Sequence, residues 1–334
     1  MNTRRLGRQG PQVSAIGLGC MGMSDLYGHA DRDESIATLH AALDAGITLL
    51  DTGDFYGMGD NEMLIREALR GRTRENVVIS VKFGALRDPS GGWAGNDGRP
   101  ASVRNFLAYS LKRLGVDYID IYRPARLDPN VPVEDTVGAI ADLVRQGYVR
   151  HVGLSEVGEE TLRRAHAVSP VSDLQIEYSL MSRGIESGIL RTCRELGIGV
   201  SAYGVLSRGL LSGRWSKERT LERDFRGTSP RFQGENLERN LQLVDKLREV
   251  AQAHGGNPAQ LALAWVLTRG DDIVPLVGAR RRSQLDDALA ALQVAMSADE
   301  LAQIEAAVPA DAVSGTRYNE IGMRHLDSER RSAH

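Results

Sequence analysis

Eight short runs of aliphatic and β-branched residues, each followed by a stretch of helical period, restrict this chain to very few folds. The runs are Ser14–Gly19, Thr48–Gly53, Val77–Lys82, Tyr118–Arg123, Val149–Ser155, Asp173–Tyr178, Gly199–Tyr203 and Ile273–Gly278. Between them lie helical stretches at Asp33–Ala45, Asn61–Leu69, Val103–Leu114, Glu134–Gln146, Glu160–Ala167, Glu186–Leu196 and Ser283–Leu292. The junctions repeat, as in Asp44-Ala45-Gly46-Ile47, Leu114-Gly115-Val116 and Leu196-Gly197-Ile198. A glycine just past a helix takes the left-handed conformation that closes it, and the residues after it begin a strand. Such alternation predicts a parallel sheet covered by helices. With 334 residues, 42% of them hydrophobic, the chain has the size of an α/β barrel or of two smaller domains. Eight strand–helix units favour the closed (β/α)8 TIM barrel, as a single domain over residues 1–334. The first nine or so residues are expected to form a hairpin across its base. Asn236–Gly255 and Pro258–Thr268 read as extra helices between strands seven and eight, and Ala298–Val308 as one more. From Pro309 onward no period is evident, and the tail is expected to lie as a loop over the barrel mouth.

A formal charge of −3 argues against a nucleic-acid surface, since the one basic cluster, Arg280-Arg281-Arg282, equally suits a single phosphate. No apolar stretch approaches the ~18 residues of a membrane span, and no apolar segment follows the basic start, so neither a membrane partner nor a secretory leader is expected. Two cysteines, Cys20 and Cys193, suit a reducing cytoplasm. No metal is expected, and the oligomeric state is open.

Asp51-Thr52-Gly53-Asp54-Phe55-Tyr56-Gly57 and Ser80-Val81-Lys82-Phe83-Gly84 each close an apolar run. Asp51, Tyr56 and Lys82 therefore fall at strand ends, where the active sites of such barrels gather. A phenol beside a lysine ammonium that is held by a carboxylate is expected to have its acidity raised, because the cation favours the phenolate. Hydride transfer to a carbonyl needs an acid of this kind.

Gly17-Leu18-Gly19-Cys20-Met21-Gly22 matches the glycine fingerprint of a dinucleotide-binding turn. A true fingerprint runs straight into a helix whose N-terminus holds the pyrophosphate, whereas here the next helix begins only near Asp33. These glycines are better read as letting a cofactor or loop approach the strand end, near Met21 and Gly22.

Taken together, Gly19-Cys20-Met21-Gly22, Asp51 to Gly57, Asn61-Glu62, Lys82-Phe83-Gly84, Arg113 to Asp120, Asp128 to Pro132, Gly153-Leu154-Ser155-Glu156, Gln175 to Leu180, Ala202-Tyr203-Gly204, Arg208 to Gly213 and Gly278-Ala279-Arg280 resemble the aldo-keto reductase superfamily over nearly the whole chain. The resemblance implies an eight-stranded barrel that binds a nicotinamide dinucleotide without a Rossmann fold, with Tyr56 as general acid, Lys82 tuning it and Asp51 anchoring the lysine. It also implies that Ser155 and Gln175 bond the nicotinamide carboxamide and that Tyr203 stacks on its ring. The loop Gly204-Val205-Leu206-Ser207-Arg208-Gly209-Leu210 would cover the pyrophosphate. Arg280, after Gly278 and Ala279, stands before a helix, so its charge and the helix N-terminus converge on one phosphate; NADPH is expected over NADH. Gln284 and Asp287 match positions near the adenosine, and Lys217 is a further candidate phosphate contact.

One departure stands out. Family members typically carry a histidine just before the arginine that precedes Asp-Pro, but this chain reads Arg123-Pro124-Ala125-Arg126-Leu127-Asp128-Pro129. Ala125 holds the histidine's place. Losing that neutral donor costs a few kcal/mol of transition-state stabilisation if nothing replaces it. Arg123, two residues before Ala125 and on the same strand face, is the candidate replacement; the alternatives are a salt-bridged Arg123 and a role for His29. Trp93, in the glycine-rich loop, and Tyr27, Phe55, Phe83 and Tyr318 are candidates for the substrate entrance, and the open Ala125 position suits a bulky oxygenated ketone such as a sugar-, steroid- or toxin-like compound. The expected activity is NADPH-dependent reduction of an aldehyde or ketone to an alcohol. The alternative is a catalytically weak, cofactor-binding regulatory subunit of the same fold.

Overall fold

Helices Pro100–Leu114 and Ile189–Leu196 end on Gly115 and Gly197, whose φ angles of 69° and 72° lie in the left-handed region that glycine enters without strain. Each hands over to a strand within a few residues, as the sequence predicts. The structure is a computed structural model that describes residues 1–24, 26–216 and 224–330.

Numbered in chain order, β1 (Thr3–Arg5) and β2 (Gln12–Ser14) form an antiparallel hairpin. The barrel strands are β3 (Gly17–Gly19), β4 (Leu49–Gly53), β5 (Val78–Phe83), β8 (Ile119–Pro124), β9 (Val149–Ser155), β10 (Val171–Glu177), β11 (Gly199–Tyr203) and β12 (Ile273–Gly278). They pair in parallel, in that order, and close from β12 back to β3. The predicted (β/α)8 barrel is therefore present. Its first strand is shorter than expected because Gln12–Ser14 belongs to the hairpin. The extra helices between the last two barrel strands are Gly234–Ala253 and Pro258–Leu267, the second opened by reciprocal capping between Asn257 and Gln260. No helix among the described residues is long and apolar enough to cross a membrane.

Alternation along the strands sorts the side chains into two environments. Leu18, Leu50, Val81, Phe83, Tyr122 and Leu154 face outward into the large core beneath the helices. Leu49, Ile121, Val274 and Leu276 face inward, where Leu6 and Val13 from the hairpin complete an apolar floor. Beyond that floor the inward positions become polar: Asp51, Ser80, Lys82, Arg123, Asp173, Gln175 and Ser201 are all buried.

Two regions differ from expectation. The glycine-rich loop after β5 contains a hairpin of β6 (Ala85–Arg87) and β7 (Trp93–Asn96). Asp88 accepts from the backbone N–H groups of Ser90 and Gly92, and Gly91 supplies a φ of 83°, so the turn is closed by its own side chain. The tail beyond Pro309 does cross the barrel mouth, but it carries a short helix, Glu320–Arg324, capped by Asn319.

Candidate active site

Asp51 and Lys82 meet at the C-terminal rim because β4 and β5 pair with Asp51 opposite Ser80 and Gly53 opposite Lys82. Lys82 Nζ donates to Asp51 Oδ2 at 2.6 Å, while Ser80 Oγ and Gln175 Nε2 donate to Asp51 Oδ1 at 3.0 and 2.7 Å. The carboxylate is thus held from three sides. Tyr56 lies just past β4, where Gly57 and Met58 both take left-handed backbone (φ 55° and 54°) and turn the chain back over the strand ends. The Tyr56 ring centroid is 5.0 Å from Lys82 Nζ, and the phenol hydroxyl makes no hydrogen bond among the described residues. The three residues singled out from sequence are together.

Their electrostatics differ from the sequence expectation. Burial, reinforced by the Asp51 charge and by Tyr318, pushes the Tyr56 phenol well above its ordinary range, with Arg126 opposing. Burial likewise draws the Lys82 ammonium down, against the pull of Asp51. Dehydration dominates, so the phenol holds its proton more tightly rather than less.

Two assignments are corrected. Arg123 faces into the barrel as predicted, opposite Lys82 in the register, but it is fully buried and its guanidinium is taken: Nη1 donates to Asp173 Oδ2 at 2.9 Å and Nη2 to Ser80 Oγ at 2.7 Å. A guanidinium so committed is not free to donate to a substrate carbonyl. Gly153 makes room for it, since a Cβ there would lie 2.8 Å from Asp173 and 3.3 Å from Arg123. Phe83 sits next to Lys82 and therefore points the opposite way, stacking on Tyr122 with ring centroids 4.3 Å apart under the helices. It does not line the entrance. Phe55 does stand beside the Tyr56 ring, edge-to-face at 4.8 Å, and the exposed Trp93 packs on Phe55 in turn at 5.7 Å. Tyr27 packs against Phe225 at 5.0 Å.

The residues expected to hold a cofactor ring the same rim. Ser155 ends β9 in register with Gln175, and its Oγ is buried without a hydrogen-bond partner. An orphaned hydroxyl costs free energy unless something accepts it, which fits a polar group arriving between β9 and β10. Tyr203 closes β11, its hydroxyl donating to Glu156 at 2.7 Å. Gly204, Ser207, Arg208 and Gly209 all have positive φ, making a tight turn with Val205 and Leu206 after that strand. Met21 and Gly22 form a short turn after β3, and a Cβ on Gly22 would meet Tyr27 at 3.4 Å. Beyond Gly278 and the buried Ala279, the Arg280 guanidinium donates to the carbonyls of Tyr27 and His29 at 2.9 and 3.1 Å, and its backbone N–H donates to Gln284. Arg282 pairs with Glu34, whereas the Arg281 side chain makes no hydrogen bond or ion pair among the described residues. Asp287 is bound on both oxygens, by Arg214 and Asn257, so it ties the loop after β11 to the last barrel helix. Lys217 lies outside the described residues.

Sequence reasoning placed the tail over the mouth but missed the contacts that pin it there. Arg317, in the tail, donates to Glu156 and Glu177, the two carboxylates that follow or end β9 and β10, and Ser328 also donates to Glu156. Burial works against the Glu156 charge, yet Arg317 holds that carboxyl far below the ordinary range. Tyr318 follows, its hydroxyl 3.0 Å from that of Tyr203. No local signal links residues some 160 positions apart. A separate groove of about 930 Å³ lies at the opposite end of the barrel, lined by Arg4, Arg8, Asp272 and Leu292. None of the candidate site residues lines it.

The sequence model of the Aldo/keto reductase family matches residues 15–309. The chain is 42% identical over 317 residues to a protein described as probable aldo-keto reductase 1 from Glycine max, covering 94% of this chain and 91% of that one. Among solved structures it is similar to the glycerol dehydrogenase AKR11B4 from Gluconobacter oxydans, with 27% identity, TM-score 0.83 and coverage of 99% and 98% of the two chains. It is also similar to the aldo-keto reductase AKR11C1 from Bacillus halodurans in its holo form, with 27% identity, TM-score 0.76 and coverage of 93% and 97%.

Proposed function

This chain belongs to the aldo/keto reductase family, and from that premise we propose that it is a cytoplasmic, single-domain NADPH-dependent oxidoreductase that reduces an aldehyde or ketone to an alcohol. The observation that carries the reading is the Asp51–Lys82 pair at 2.6 Å with the Tyr56 phenol beside it and otherwise unbonded. When bound, a reduced nicotinamide supplies the hydride. Ser155 and Gln175 are the groups that would orient it, Tyr203 the surface it would lie on, and Arg280 and Arg281 the cations for a 2′-phosphate. Tyr56 gives its proton to the carbonyl oxygen as negative charge develops there. Lys82 supports the phenolate left behind, and its own charge is sustained by Asp51, which Ser80 and Gln175 keep from turning away. Phe55 and Trp93 exclude water from the carbonyl's other side. Ala125 leaves room for a bulky substrate.

The test is turnover of purified protein on a panel of aldehydes and ketones, followed by loss of the reduced-nicotinamide absorbance with NADPH and with NADH. Reduction that needs Tyr56 supports the reading. Cofactor binding with no turnover on any carbonyl would overturn it.

A further inference from the structure

We propose that Arg126 forms an anion subsite beside Tyr56, so that the preferred substrates are aldehydes or ketones that also carry a carboxylate. The proposal rests on the reductase reading above and narrows its substrate class. Ala125 N–H donates to the carbonyl of Phe83 at 2.8 Å, which carries the end of β8 over the strand that bears Lys82. Arg126 is therefore at the rim, three residues past the committed Arg123. Its Nη1 donates to the carbonyl of Ala125 at 2.6 Å and its Nη2 to Tyr318 Oη at 3.3 Å, with the guanidinium carbon 5.8 Å from the Tyr318 ring centroid.

All of these partners are neutral. The other arginines of the mouth are matched to carboxylates: Arg208 to Glu177 at 3.0 Å, Arg317 to Glu156 at 2.8 Å and Arg231 to Glu177 at 3.5 Å. Arg126, half-buried among them, has no ion pair among the described residues, and its Nε makes no hydrogen bond. Glu156 lends Arg126 its field but is itself directly paired with Arg317, and the remaining N–H groups of a planar guanidinium fit a carboxylate as a two-pronged pair. The field of Arg126 reaches the Tyr56 phenol, where it acts against burial. A carboxylate seated on Arg126 thus leaves the rest of a short substrate directed towards the phenol.

The test compares 4-carboxybenzaldehyde with benzaldehyde, and succinic semialdehyde with butanal, in the holoenzyme. The wild-type protein should favour the carboxylated member of each pair. Arg126→Gln should lower that ratio of kcat/KM by about 10–100-fold, the span of one charge-assisted pair, chiefly through KM. Arg126→Lys should restore part of it, as a point charge without the fork. Equal loss on both members of each pair, no wild-type preference, or a loss of NADPH affinity as large as that of the ratio would each overturn the proposal. Calorimetric binding of 4-(hydroxymethyl)benzoate against benzyl alcohol separates this question from turnover. Arg126-dependent preference for the benzoate upholds the subsite even if no carbonyl is reduced, and its absence rejects the subsite even if carbonyls are.

Discussion

Arg123 Nη1 and Asp173 Oδ2 lie 2.9 Å apart at the centre of the barrel, and neither side chain reaches solvent. Ser201 also donates to Asp173, and Arg123 passes to Ser80, which bonds Asp51. One hydrogen-bonded chain therefore runs from β11 to the carboxylate that anchors Lys82.

Removing Arg123 leaves Asp173 charged and uncompensated. Arg123→Ala is expected to cost about 3–5 kcal/mol of folding free energy, read from urea unfolding, whereas Arg126→Ala at the rim costs much less. A loss near zero for Arg123→Ala would show that the pair is no part of the barrel's framework.

The proton donor is tested at one atom. Tyr56→Phe should reduce turnover by about 10²–10⁴-fold, the worth of a positioned acid, with NADPH binding retained in a fluorescence titration. Lys82→Ala should be comparably inactive and should shift any surviving pH profile.

The arginine cluster makes a prediction about cofactor choice. Arg280→Ala is expected to weaken NADPH by about 1.5–3 kcal/mol, the scale of a hydrogen bond to a charged group, with NADH barely affected. Arg281→Ala should act in the same direction, since its guanidinium has no competing partner. Equal weakening of the two cofactors would show that neither arginine reads a 2′-phosphate.

Asp54 supplies a pH dependence. Burial, with the like charge of Glu62 nearby, pushes its carboxyl up to about 8, against Arg113. The folded state therefore holds this proton more tightly than the unfolded chain. The stability it contributes is complete below the ordinary carboxylate range, near pH 4, and is lost as pH rises towards 8. Asp54→Asn should flatten that decline in thermal melts between those limits. An unchanged slope would assign it to other groups.

The strands and the Asp51–Tyr56–Lys82 trio were legible because each is written locally, in a glycine-closed helix end, a β-branched run and a polar residue at its last position. Parity along a strand also gave Arg123 its inward face. Its partners were not legible: Asp173 and Ser80, which take up its guanidinium, come from two other strands. Phe83 shows parity neglected, since its neighbour Lys82 already claimed the inner face. The contacts that pin the tail as a roof were hidden for a different reason. Glu156 and Arg317 each look like an ordinary surface charge until the fold brings them together.

That roof has an evolutionary consequence. Tyr318 and Arg317 come from the last stretch of the chain, after the barrel has closed, while Asp51 and Lys82 stand on its second and third strands. Substitutions in the terminal segment can therefore alter the barrel mouth without touching the Asp51–Lys82 pair. The constraint on such substitution is narrow: a replacement must still bring a cation to Glu156 and Glu177, or those carboxylates must change with it.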